Sequence, residues 1–198
     1  MMIWRITILT LVPALALLAL PRARIDSIAY QTEISPDEYA VYDAVIGDLF
    51  AGDKVTPDQA GKVSAKLLLI ENHTVKYPSD GSTLNARYYL TASISPETLA
   101  DYERQNNSPE VLKRSLNISL YYLLINSAES KRSVADLRGR EVQGTVSVSR
   151  VGFNRDRTEA LVYRSYICGG LCGYGSVLFL KRADNRWKVE TKATLWEA

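Results

Sequence analysis

Histidine and cysteine are scarce in this chain: its 198 residues include one histidine, His73, and two cysteines, Cys168 and Cys172. A cysteine nucleophile would therefore have His73 as its only histidine base. A zinc ion could take Cys168, Cys172 and His73 as ligands, but no fourth ligand is evident. The G-x-S-x-G turn that positions a serine nucleophile in many hydrolases is also absent. The sequence therefore predicts no cofactor and no metal.

Beyond residue 23 the chain carries no net positive charge. Lysine and arginine number 24 against 22 acidic residues, and Arg5 and Arg22 lie in the first 23 residues together with no acid. The remainder is balanced, and its basic residues are scattered rather than grouped in a run or stripe. Nucleic acid is therefore not predicted as a partner.

The N-terminal residues have the layout of an export signal. Arg5 precedes an uncharged apolar run over residues 6–20, and Pro21-Arg22-Ala23-Arg24 follows. The run is shorter than the roughly 20 residues that a membrane-spanning helix needs. We interpret residues 1–23 as a cleaved signal peptide, with a retained membrane anchor through residues 6–20 as the alternative. Either interpretation predicts an extracytoplasmic protein, periplasmic or secreted.

The interpretation of Cys168 and Cys172 depends on that compartment. Cysteines four residues apart in an oxidising environment favour a local disulfide between Cys168 and Cys172. So short a ring stabilises the fold by roughly 2 kcal/mol in the chain-entropy model, and Gly169 and Gly170 are expected to supply positive φ where the ring turns. Two alternatives remain open: a redox-active pair, or a nucleophilic cysteine paired with His73.

Capping residues and apolar spacing predict two helices. Ser35, Pro36 and Glu38 form a capping box with proline at the first helical position. Apolar residues then recur at helical spacing: Tyr39, Tyr42, Val45, Ile46 and Leu49. We predict a helix over 36–51, and Ser95-Pro96-Glu97 begins a second one near 96–107.

Strand patterns occupy much of the rest. Residues 65–71 form a short apolar run typical of a strand buried on both faces, and 87–93 and 116–125 are further candidates. Four strand patterns with short connections fill 142–195, which predicts an antiparallel meander. We predict a single α+β domain over 24–198, in which one or two earlier strands extend the meander and both helices pack on it.

Several segments resemble a group of exported bacterial proteins of unknown function. They are YAVYDAVIGDLF, KLLLIENHT, SRVGFNRDRTEALVY, CGGLCGYG and RWKVE, in this order over most of 38–190. The chain departs from that group's pattern over 127–141, which contains no tryptophan or phenylalanine. The resemblance implies export and one α+β domain. It implies no activity and therefore transfers no catalytic residue.

Tyrosine is common, with twelve residues against three phenylalanines. Tyr163, Tyr166 and Tyr174 lie near the cysteines and could line a binding rim, although tyrosine at the edge of a core is the plainer interpretation. We therefore predict a non-catalytic exported module, binding or structural, with a disulfide-pinned glycine-rich loop and a protein or a small molecule as its partner. The alternative is a thiol enzyme, hydrolytic or redox, that uses Cys168 or Cys172 with His73.

Overall fold

A computed structural model of the chain describes residues 33–51, 66–76, 90, 94–126 and 141–198. Two helices and seven strands lie in these ranges: α1 (Pro36–Leu49), β1 (Leu67–Glu71), α2 (Pro96–Gln105), β2 (Tyr121–Ile125), β3 (Val142–Val148), β4 (Gly152–Phe153), β5 (Glu159–Gly169), β6 (Cys172–Ala183) and β7 (Arg186–Glu197). None of the helices in the described ranges is long and apolar enough to cross a membrane.

The strands form one mixed sheet. Its order is β2-β1-β3-β5-β6-β7, and the short β4 pairs with β5 beside this path. Strand β1 runs parallel to both of its neighbours, whereas the strands from β3 onward pair antiparallel. The predicted meander with two earlier strands and two helices is therefore confirmed, and the fold class is α+β.

The two helices cover opposite faces of the sheet. The α1 cluster contains Tyr42, Val45 and Ile46 from α1, packed on strand residues such as Ile70 and Val162. The α2 cluster contains a second set of buried residues from α2 and the other face of the sheet: Leu99, Tyr102, Leu161, Tyr163, Val177, Phe179 and Ala193. Neighbouring residues of β5 thus alternate between the clusters, as expected for a strand buried on both faces.

The capping box begins α1 as predicted. The Ser35 hydroxyl oxygen accepts from the Glu38 backbone N–H at 3.3 Å, and the Ser35 N–H donates to the Glu38 carboxylate at 2.9 Å. The helix ends at Leu49, two residues before the predicted end, because the Phe50 N–H donates back to the Gly47 carbonyl and tightens the last turn.

Replacing the capping hydroxyl should weaken α1. We expect Ser35→Ala to lower the free energy of unfolding by about 1 kcal/mol, because the Glu38 N–H loses its acceptor. Ser115→Ala is the matched control, since Ser115 is exposed and such changes stay within about 0.5 kcal/mol. Urea denaturation followed by circular dichroism measures both. Equal losses in the two variants would contradict the role of the cap.

A buried polar segment between β3 and β4, which contains Arg150, is hydrogen-bonded to both helices. The Arg150 guanidinium donates to the Glu38 carboxylate of α1 at 2.7 Å and 3.2 Å, and both side chains are at most 4% exposed. The Arg150 backbone N–H and carbonyl both bond to the side chain of Asn106, which ends α2. Burial acts to lower the pKa of Arg150, but the hydrogen bond and charge of Glu38 outweigh it and raise that pKa. This segment therefore joins the sheet to the helices on its two faces.

Strand β7 contains a bulge that the sequence pattern does not reveal. Val189 and Thr191 pair with consecutive residues of β6, which leaves Glu190 as an extra residue. As a result Trp187 lies in the α1 cluster, whereas Ala193 lies in the α2 cluster. Alternation identifies the strand correctly, but the apolar residues on either side of the bulge cover opposite faces.

One predicted strand begins later than its pattern indicates. Leu116, Ile118 and Leu120 alternate with polar residues, yet this stretch is irregular and β2 begins at Tyr121. Its apolar side chains pack in the α1 cluster, and the Asn117 N–H donates to Asp43 of α1 at 2.8 Å. The alternation therefore reflects packing against α1 rather than pairing in the sheet. The predicted strand over 87–93 and the predicted signal over 1–23 lie outside the described residues, apart from the buried Leu90.

Candidate binding site at the disulfide-linked hairpin tip

Strands β5 and β6 form a long hairpin that extends beyond the core. Their pairing runs from Glu159 opposite Lys181 to Gly169 opposite Cys172. Residues 160–165 and 175–180 are buried, whereas every residue from Ile167 to Cys172 is exposed. We call residues 167–172 the tip. The hairpin is thus anchored at its base by two hydrophobic clusters and projects a short tip into solvent.

The predicted disulfide closes the tip. Cys168 and Cys172 are bonded, with their Cα atoms 5.1 Å apart, so that neither of the two cysteines is free. The expectation that Gly169 and Gly170 supply positive φ is wrong. Among the described residues, positive φ occurs at Arg157, at Gly144 and in the two-residue turn between β6 and β7, and not in the tip. The register shifts between Ile167 and Gly169, so that Cys168 is the extra residue of a bulge. The chain reverses at Gly170 and Leu171, and the bulge at Cys168 lies in β5 just before this turn.

Apolar side chains dominate the surface of the tip. Leu171 is 93% exposed and Ile167 is 49% exposed. The indole of Trp196 lies close by, over Gly175, where any Cβ would overlap with it. The indole N–H donates to the Tyr163 hydroxyl at 2.9 Å, which fixes the ring against the sheet. The absence of a side chain at Gly175 therefore allows the Trp196 ring to pack directly against β6.

The structure places His73 far from the tip. His73 follows the carboxyl end of β1 and forms an isolated bridge with Val111. The tip points toward the opposite end of the sheet, because Ile167 pairs with Thr145 in the middle of β3 and the antiparallel β5 continues from there toward the amino end of β3. At about 3.3 Å per residue the separation along the strands is roughly 15–20 Å. The His73 ring is exposed and its Nδ1 lies 2.7 Å from the Asn72 side-chain oxygen. The two cysteines and His73 are therefore not brought together.

The described residues do not support the zinc alternative. Within the described ranges, no set of three or more histidine, cysteine, aspartate or glutamate side chains could hold an ion. The zinc interpretation of Cys168, Cys172 and His73 fails on the same geometry, because the sulfurs are bonded to each other and the imidazole is at the far end of the sheet.

The three candidate tyrosines occupy two faces of the sheet rather than one rim. Tyr163 belongs to the α2 cluster. Tyr166 and Tyr174 are directly paired across β5 and β6 on the α1 face, with ring centroids 6.0 Å apart in an edge-to-face arrangement. Tyr166 also meets Phe50 edge-on at 5.7 Å and donates to the Gln143 carbonyl at 2.8 Å. Tyr166 and Tyr174 therefore pack next to the tip on the α1 face, and we call this pair the aromatic support.

A buried arginine lies in the same support and was not singled out by sequence reasoning. Arg164 donates to the Val45 carbonyl near the end of α1 and lies 3.4 Å from the Asp48 carboxylate, which Lys192 also approaches at 3.5 Å. Its guanidinium lies 6.0 Å from the Tyr174 ring centroid. Burial lowers the pKa of Arg164, although Tyr174 and Asp48 act in the opposite direction. A charged residue inside the apolar run 160–167 was the signal that could have identified it.

The chain matched none of the protein-family models, curated proteins or solved structures with which it was compared. The geometry of the described residues is therefore the basis for any function assigned to the chain. The resemblance to exported bacterial proteins stays a prediction.

Proposed function

We propose that the protein is an extracytoplasmic, non-catalytic binding module whose hairpin tip docks onto a partner protein. The observation that carries this proposal is the exposure of Leu171, which lies inside a covalently closed ring at the end of a well-anchored hairpin. A bridged cysteine pair fits an oxidising compartment, and the export signal predicted over residues 1–23 points to the same location.

The shape of the tip favours a protein over a small molecule as partner. Small-molecule sites are concave and enclose most of their ligand, whereas the tip projects from the sheet and every residue in it is exposed. A projecting apolar side chain on a rigid support fills a pocket on another surface in the manner of an interface anchor. Leu171 is that anchor, and Ile167 lies beside it.

Rigidity supports the same proposal. Binding costs less when the contacting segment is already ordered, since each immobilised side chain otherwise costs about 0.5–1.5 kcal/mol. The disulfide, the ten strand pairs of the hairpin and the aromatic support of Tyr166 and Tyr174 restrict the tip before any partner arrives. The thiol-enzyme alternative lacks comparable support, because it needs a free sulfur near His73.

Site-specific photocrosslinking tests the proposal in the producing cell. A photoreactive phenylalanine derivative is placed at Gly170, where an added Cβ meets no atom within 4 Å. We expect an adduct with one partner protein that falls at least fivefold when Leu171→Ser is added. Leu171→Ser should change the free energy of unfolding by less than about 0.5 kcal/mol, since exposed positions away from special features tolerate substitution.

The matched control places the same photoreactive residue at Lys188. Lys188 is exposed and lies at the opposite end of the sheet, where it pairs with Lys181. It should give no adduct with the same partner. Equal adducts at the two positions, or an adduct at Gly170 that ignores Leu171→Ser, would show that the tip is not the recognition element.

A further inference from the structure

We infer that the Cys168–Cys172 disulfide is an exchange site for a dithiol reductant outside the cytoplasm, and that opening it switches the tip between two registers. The switch would control docking, and this last consequence rests on the proposed function. Three features of the hairpin support such a switch: both cysteines are exposed, the pairing of the core extends well below the tip, and a bulge lies at Cys168.

Access comes first. Both cysteines are exposed, and so are Gly169, Gly170 and Leu171 between them. Thiol–disulfide exchange requires a thiolate to approach a sulfur, and its rate therefore depends on access as well as on pKa. A protein dithiol can approach this tip without any part of the core opening.

The core does not depend on the bond. The hairpin register is set by pairs that begin at Glu159 and Lys181 and continue through the buried residues 160–165 and 175–180, which contribute to both hydrophobic clusters. The C-terminal end of β7 adds a further tie, because the Ala198 N–H donates to the Gly173 carbonyl at 2.9 Å. Opening the disulfide therefore removes a constraint on residues 167–172 and leaves the sheet below them paired.

The bulge provides the second state. With the bond closed, Gly169 pairs with Cys172, the loop contains Gly170 and Leu171, and Cys168 is unpaired. Without the bond, Cys168 can pair with Cys172, which transfers the extra residue from β5 into a three-residue loop. Gly169 then moves from the strand into the loop and Leu171 changes its direction. The anchor side chain is thus presented in a different direction in each of the two registers.

The chemistry balances with a dithiol as the second reactant. One thiolate of the reductant attacks an exposed sulfur of the pair and displaces the other as a thiolate, which takes up a proton. The second thiol of the reductant then attacks the mixed disulfide and releases the remaining cysteine. The protein gains two electrons and two protons as two thiols, and the reductant leaves as a disulfide.

Reduction kinetics of the folded full-length chain test the inference. The oxidised protein is treated with dithiothreitol at neutral pH without denaturant, and thiols are counted by alkylation and mass spectrometry. We expect two thiols to appear at the same rate in the wild type and in Ser35→Ala. If reduction required global unfolding, the weakened helix cap would speed it about fivefold. That acceleration would overturn the inference.

Hydrogen exchange tests the change of register. In the reduced protein we expect amide protection to change over 167–173 and to stay unchanged at Ser165 and Ser176. Identical exchange of the oxidised and reduced tips would overturn the switch. Neither measurement involves a partner. Direct reduction with a changed tip but no crosslink at Gly170 would therefore reject the proposed function alone.

Discussion

Arg150→Met should lower the free energy of unfolding by about 3–5 kcal/mol, the range seen when one partner of a buried ion pair is removed. The Glu38 carboxylate would remain almost fully buried while losing both of its contacts from the guanidinium. Urea denaturation measures the loss. Lys66→Met is the control, because the pair of Lys66 with Glu141 is exposed and such pairs contribute about 0–1 kcal/mol.

Glu38→Gln completes a double-mutant cycle with this change. Glutamine at this position still suits a capping box, so the variant mainly removes the charge that faces Arg150. We expect the double variant Glu38→Gln/Arg150→Met to lose less than the sum of the single losses, with a coupling of about 0.5–3 kcal/mol. Strictly additive losses would mean that the two side chains act independently, contrary to the contacts described.

Gly152→Ala should also destabilise the fold, by about 1–3 kcal/mol or more. An added Cβ would lie 2.5 Å from the Cα and Cβ atoms of Tyr102 in α2. Those atoms belong to or adjoin the helix backbone, and a change of rotamer cannot move them away. The substitution therefore requires α2 to shift from the sheet, which disturbs the hydrogen bond from the Phe153 N–H to Asp101 at 2.7 Å.

Gly47→Ala is the matched control and should have the opposite sign. Gly47 lies in α1, is exposed, and has no atom within 4 Å of an added Cβ. Alanine inside a helix is favoured over glycine by roughly 0.5–1 kcal/mol. Equilibrium unfolding of both variants gives the comparison. A loss of stability at Gly47, or none at Gly152, would contradict the packing described here.

Local rules predicted the elements of this fold well. The capping box at Ser35, the proline-initiated second helix and the four C-terminal strand patterns depend on neighbours within a few residues, and all of them are confirmed. The disulfide was predictable for the same reason, because Cys168 and Cys172 are four residues apart.

The contacts that join these elements were not predictable in the same way. Glu38 and Arg150 are 112 residues apart in sequence, and nothing near Glu38 shows that its carboxylate faces an arginine as well as the helix terminus. The bulges at Cys168 and Glu190 were equally difficult to predict, because each changes the pairing without interrupting the strand pattern. The tyrosines near the cysteines follow simple alternation instead, because Tyr163 and Tyr166 are three residues apart in β5 and therefore lie on opposite faces of the sheet, which fits the edge of a core rather than one rim.

Strand β1 pairs on both sides with strands that come later in the chain, β2 and β3. The hairpins of β5, β6 and β7 involve near neighbours and can form quickly, whereas β1 must wait for distant partners, which makes its pairing intrinsically slow. The pairing of β1 on both sides cannot be completed until β3, which ends at Val148, has emerged. The sheet therefore stays incompletely folded while most of the chain is being synthesised. A chain that crosses a membrane before it folds, as the proposed export requires, benefits from such a delay.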